Sequence, residues 1–189
     1  MGGRTIKDQD YFNAAAGVLA VAVVVLAGVL LVAFPSGGGT AATTSTSGQT
    51  SYVNLTVSVN ATTGWPQYSP TNFDVPQGKV VFTITDHDAI ANWTGCPCAV
   101  KGTVNGVEMI NGTPYSTVST SNVAHTFSIP ALGLNVLSPG QSVVSFAVDV
   151  TNAGTFSWFC LSPCGTGPGG FTGGPMSTPG YMNGTMTVS

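Results

Sequence analysis

Nitrogen and thiolate metal ligands are scarce in this chain: it has two histidines, His87 and His125, and four cysteines, Cys96, Cys98, Cys160 and Cys164. Cys160 and Cys164 form a C-x3-C pair directly after the aromatic run Thr155 to Phe159. Two thiolates on such a loop can bridge soft metal ions, or each can enter a disulfide. For an extracytoplasmic domain with an even number of cysteines, the spacing alone favours disulfides. Cys96 and Cys98 are separated only by Pro97, a spacing that rarely satisfies disulfide geometry within the pair. His87, between Asp86 and Asp88, reads as a solvated loop residue. There is no Ser–His–acid set, paired-carboxylate arrangement or phosphate-cradling loop to suggest independent catalysis. The Gly-rich run Gly165 to Gly174 follows a strand and leads to no helix or lysine.

The elements that would position these residues are strands. Val53, Leu55, Val57 and Val59 alternate with polar residues. Val80, Phe82 and Ile84 repeat the pattern, as do Val144, Phe146, Val148 and Val150, and Met186 and Val188 close the chain. Period two puts one face on a core and the other in solvent. Short strands separated by Gly and Pro clusters predict an all-β antiparallel sandwich or barrel over residues 51–189.

Ahead of it, residues 1–13 are polar and carry Arg4 and Lys7, and Ala14 to Phe34 is apolar throughout. At about 1.5 Å per residue that segment spans a hydrocarbon core of ~30 Å. It is too long for the apolar region of a signal peptide. It therefore predicts a single transmembrane helix, 14–34, with the N-terminus cytoplasmic and the β-domain outside the plasma membrane. Hydropathy is equally compatible with the packing helix of a filament subunit. Residues 35–50, rich in Gly, Ser and Thr, predict a flexible tether.

Only 6% of the chain is charged while 43% is hydrophobic. A surface built on Thr, Ser and Asn suits an acidic exterior, where carboxylates are neutral and excess cations would repel one another. The net charge of −3 and the lack of a basic patch exclude nucleic acid as a partner. Sequons at Asn54, Asn60, Asn92, Asn111 and Asn183 predict surface glycosylation.

Several stretches, in order, resemble subunit II of haem–copper terminal oxidases. His125, Phe127, Pro130, Leu132 and Gly133, followed by Pro139-Gly140, match that family's first copper-ligand strand and its turn. Phe146 to Cys164, with Gly154 and Gly165, resembles the strand leading into its C-x3-C loop. Met182, Gly184 and Val188 match its last strand, and Pro76 to Phe82 the strand before the ligand strand. The resemblance covers residues 72–88 and 122–188. It implies a cupredoxin-like Greek-key sandwich and, by position, a dinuclear copper-A site. His125 would be the first imidazole, Cys160 and Cys164 the bridges, Ser162 the carbonyl donor and Met182 the thioether, with Met176 a second candidate.

The second imidazole of that site is missing. Pro179 stands three residues before Met182, Gly173 three before Met176, and no histidine follows His125. His87 is the one available substitute. The chain also carries an insertion, about residues 89–121, at the pole of the copper loop. Its Cys96 and Cys98 have no cysteine partners outside the insertion except Cys160 and Cys164, which predicts two disulfides clamping the insertion over a vestigial site. The resemblance then implies a copper-A-less quinol oxidase. This chain would be its non-catalytic structural subunit, with no cofactor of its own, beside a multi-helix subunit I holding haem and copper B, other oxidase subunits, membrane lipid and quinol. Two alternatives stand beside it: a copper-binding electron-transfer subunit, and a glycosylated surface or filament subunit.

Overall fold

The computed structural model describes residues 49–89, 98–164 and 173–189. The predicted helix 14–34, most of the tether, Cys96 and Asn92 lie outside them. Among the described residues no helix is long and apolar enough to cross a membrane.

Among the described residues eleven strands form two sheets: β1 Thr50–Val59, β2 Pro66–Ser69, β3 Asn72–Val75, β4 Gly78–Asp86, β5 Glu108–Ile110, β6 Thr113–Tyr115, β7 Val123–Ile129, β8 Leu134–Pro139, β9 Ser142–Val150, β10 Gly154–Phe159 and β11 Asn183–Val188. Thr50, placed in the tether by composition, is thus the first residue of β1. One sheet runs β2-β1-β4-β9-β5-β6, the other β3-β11-β10-β7-β8. Most pairs are antiparallel, but β1 lies parallel to β4 and β3 parallel to β11. The arrangement is all-β in two sheets.

The expected alternation holds. Val80, Phe82 and Ile84 of β4 and Val144, Phe146, Val148 and Val150 of β9 are buried, while their neighbours face outward. Val59 departs from it: it is half exposed at the end of β1, beyond the core's reach. Between the sheets Phe82 stacks on Phe146 at 5.0 Å, and Tyr68, Phe127 and Trp158 tile the centre at 5.0–6.1 Å. Full burial of such side chains stabilises by roughly 1.5–3 kcal/mol each. Trp158 Nε1 donates to the Thr71 carbonyl at 2.8 Å. Gly184 lies against both groups, and a Cβ there would overlap the carbonyl.

The insertion is partly regular. Asn111 and Gly112 both take positive φ, 48° and 82°, the geometry an Asn-Gly pair supplies to a two-residue hairpin. They join β5 to β6, and β5 pairs with β9, so the insertion extends the first sheet. The bridge Ala99↔Thr117 closes the insertion on itself, and Lys101↔Asn135 ties it to β8 of the other sheet. Beneath it lies a second small core of Val100, Val118, Val123 and Leu137.

Glu108 is fully buried in this region. Its Oε2 accepts the Leu137 N–H at 2.8 Å, and Oε1 has no partner among the described residues. Burial pushes its carboxyl up to about 8, the Leu137 bond opposing this only in part. A carboxyl whose proton is held more tightly when folded stabilises fully below its unfolded value, and that stability falls as pH rises toward the folded value. We predict that the wild-type chain loses a few kcal/mol relative to Glu108→Gln between about pH 4.5 and pH 8, since each tenfold difference in proton affinity between folded and unfolded chain is worth ~1.4 kcal/mol. Chemical unfolding of both proteins across that range checks it; parallel pH profiles would refute the assignment.

Candidate metal centre

β7 and the loop after β10 build the site. β10 touches β7 at a single register pair, Phe159↔Ser128, and then gives way to the cysteine loop. Discrete hydrogen bonds hold the loop. The Cys160 N–H donates to the Met182 carbonyl at 2.8 Å. The Leu161 N–H donates to Thr126 Oγ1 at 2.6 Å, and Ser162 Oγ to the Ala124 carbonyl at 2.9 Å. Ala124 and Thr126 flank His125, so the loop is fastened on both sides of the imidazole.

The result is a compact donor set. Cys160 and Cys164 Sγ are 3.0 Å apart, and His125 Nδ1 is 2.9 Å from Cys164 Sγ. All three donor atoms lie within 4.8 Å of one another, and all three residues are buried. The Ser162 carbonyl is 3.6 Å from Cys160 Sγ, and the Thr126 N–H points at the same sulfur from 3.4 Å. Met182 is fully buried in the same cluster as the two cysteines, and Met176 packs against it half-buried. Of the residues expected from position, His125, Cys160, Ser162 and Cys164 are therefore gathered in one place, and Met182 joins them through its backbone carbonyl.

The expected clamp is not formed. Cys160 and Cys164 are free thiols, whereas Cys98 is disulfide-bonded. The insertion is held instead by sheet pairing, by its own small core and by Asn135 Nδ2 donating to the Ala99 carbonyl at 2.9 Å. His87 does not substitute for the missing imidazole. It is exposed, with its N–H on the Val57 carbonyl and its own carbonyl accepting from Gln141 Nε2.

Its neighbours matter more. His125 Nε2 is 3.0 Å from Asp88 Oδ2. Asp86 is buried and accepts from Ser138 Oγ at 2.7 Å and from the Asp88 N–H at 2.9 Å. Residue pattern gave these acids no role, although two acids at one strand end are conspicuous in a chain with only seven Asp and Glu. Tyr68 and Trp158 are core residues. Tyr68 is fully buried, donates to the Thr126 carbonyl at 3.1 Å and lies edge-on to the imidazole at 6.5 Å.

Charge inside the pocket is strongly coupled. Burial alone would lower the His125 imidazole, but the hydrogen bond to Asp88 and the Cys160 sulfur beside it outweigh that and carry it to about 10. Burial also opposes ionisation of Cys160, yet Cys164 and the imidazole hold its thiol well below the usual value. Burial and the neighbouring Cys160 push Cys164 up. The hydrogen bond from His125 holds Asp88 low. The coupling thus favours negative charge on Cys160 and positive charge on His125, and keeps the proton on Cys164.

One nitrogen and two sulfurs, with a thioether residue nearby, are a donor set for a soft ion such as copper. They fit a single ion. They do not fit the dinuclear centre, which needs an imidazole on each side. The sequons at Asn54 and Asn111 are exposed; those at Asn60 and Asn183 are partly buried and engage their amides, Asn60 with Gln67 and Asn183 with the Met176 and Thr178 carbonyls.

No protein-family model and no curated protein matches the sequence. Among solved structures, auracyanin B superposes with a TM-score of 0.37 at 13% identity, over 74% of this chain and 88% of that one, a likeness too loose to bear on function.

The free thiols give a direct check. In the unfolded protein, without reductant, Cys160 and Cys164 will alkylate and Cys98 will not. In the folded protein both will react far more slowly, since each is at most 4% exposed. Mass mapping of the labelled peptides reads this out, and a disulfide-linked peptide joining Cys160 or Cys164 to Cys96 or Cys98 would restore the clamp.

Proposed function

We propose that this chain is an extracytoplasmic electron-transfer subunit of the subunit II type, and that its cupredoxin-like domain holds one copper ion between His125, Cys160 and Cys164. The observation that carries this reading is the convergence of three buried donor atoms within 4.8 Å with both thiols free. A pocket that had lost its metal would be under no constraint to keep two sulfurs and an imidazole nitrogen in mutual contact. Bound copper would supply one-electron chemistry. The chain's own residues exclude water, fix the donors and present the loop at the surface, where Phe159 and Leu161 are exposed. The resemblance in sequence supports a haem-bearing subunit I as partner, and the apolar segment 14–34 supports a single membrane anchor.

The absent second imidazole favours a second reading: a structural subunit of a quinol oxidase that takes electrons from quinol directly. Copper loading separates the two. Under anaerobic, reducing conditions the chain will bind one Cu(I), measured by elemental analysis and competition with a chromophoric chelator. Cys160→Ser or Cys164→Ser will abolish stoichiometric loading, and His125→Ala will weaken it by at least about tenfold, the scale on which a lost ligand contact is felt. Two coppers per chain would reinstate a dinuclear centre. No copper in the chain or in the native complex would leave the structural reading.

A further inference from the structure

We infer that Asp88 is a positioning residue for His125: it fixes which ring nitrogen faces the sulfur pair. This rests on the copper reading only for its effect on affinity; the claim about the ring stands without metal. Each ring nitrogen of His125 has one neighbour. Nε2 faces Asp88 Oδ2 at 3.0 Å and Nδ1 faces Cys164 Sγ at 2.9 Å. A carboxylate only accepts, so Nε2 carries the hydrogen and Nδ1 is left as the atom directed at the sulfurs. The side chain is 4% exposed, so water cannot replace the carboxylate if the ring turns. An outer carboxylate on a ligating histidine both orients the ring and makes it a better donor.

Asp88 is itself held at both its N–H and its carbonyl, as a support must be if it is to place an atom accurately. Its N–H is bound by Asp86 Oδ1 at 2.9 Å, and Asp86 is anchored through Ser138, the residue directly across the β7–β8 ladder from His125. Its carbonyl accepts from Gln141 Nε2 at 2.9 Å. Gln141 sits in the β8–β9 turn at φ 59° and also holds the His87 carbonyl. The end of β4, strand β8 and this turn therefore form a frame whose common product is the Asp88 carboxylate over Nε2.

Nitrogen-15 spectra of histidine-labelled protein test this, metal-free and Cu(I)-loaded. The wild type will show a His125 Nε2–H signal protected from solvent exchange in both states. Asp88→Ala will accelerate that exchange at least about tenfold and weaken Cu(I) binding about 10–100-fold, whereas Asp88→Asn, which keeps an acceptor oxygen, will recover part of both. Gln141→Ala, outside the metal pocket, will give a smaller loss in the same direction and keeps the test open if Asp88→Ala does not fold. Unchanged Nε2–H exchange in folded Asp88→Ala overturns the assignment. Failure of the wild type to take up Cu(I) sinks the copper reading alone, because the ring signal still decides the role of Asp88.

Discussion

The fastening of the cysteine loop to β7 is the constraint on which the site depends. The loop has no ladder of its own: β10 ends at Phe159, and the chain then turns where no strand can direct it. Thr126 compensates with every polar group it has. Its N–H points at Cys160 Sγ, its hydroxyl accepts the Leu161 N–H, and its carbonyl accepts the Tyr68 hydroxyl. One buried residue thus couples the sulfur position, the loop backbone and the aromatic core. Because buried polar groups are costly when unpaired, each of these bonds resists displacement, and together they tie the sulfurs to the sandwich.

Much of the sandwich could be read in the sequence, and the reason is physical. Strands β1, β4 and β9 have one face on the core, so their alternation is a direct record of burial. Strand β7 does not alternate: all of Val123–Ile129 is buried, because polar Thr126 and Ser128 are covered by the cysteine loop and Asn135. Its role was visible only through the resemblance that singled out His125. The hairpin β5–β6 was missed because its strands are too short to show a period, and Asn111-Gly112-Thr113, read as a sequon, is also a turn.

The site was legible in its ligands and illegible in their state. His125, Cys160, Ser162 and Cys164 fall together as their order along the chain implied. The disulfide expectation failed because it weighed spacing and compartment, which constrain which cysteines can pair but not which are near. Cys98 is disulfide-bonded, whereas the two loop sulfurs lie 3.0 Å apart as thiols beside an imidazole. Asp88 could not be assigned from sequence at all. Its function depends on a through-space contact made across the whole insertion, from Asp88 to His125, and nothing local distinguishes it from a solvated loop acid.

Sparse charge makes the few buried acids consequential. Glu108 has no counter-charge among the described residues, and burial favours its neutral form. Asp86 lies beside a hydroxyl, a main-chain N–H and the charge of His125, and burial still raises its carboxyl. Both are easier to keep inside a fold that works in an acidic medium, where neutral carboxyls are the default. The metal pocket is balanced differently. Its coupling favours negative charge on Cys160 and positive charge on His125. Ligand atoms must lose their protons to bind a metal, so loading exchanges the protons on Nδ1 and the second sulfur for the charge of the ion. The carboxylate of Asp88 stays on the far side of the ring in either condition. With Cu(I), two protons leave for one positive charge, so the loaded donor set is more negative by one, a cost of burial that the Thr126 N–H directed at Cys160 Sγ offsets in part.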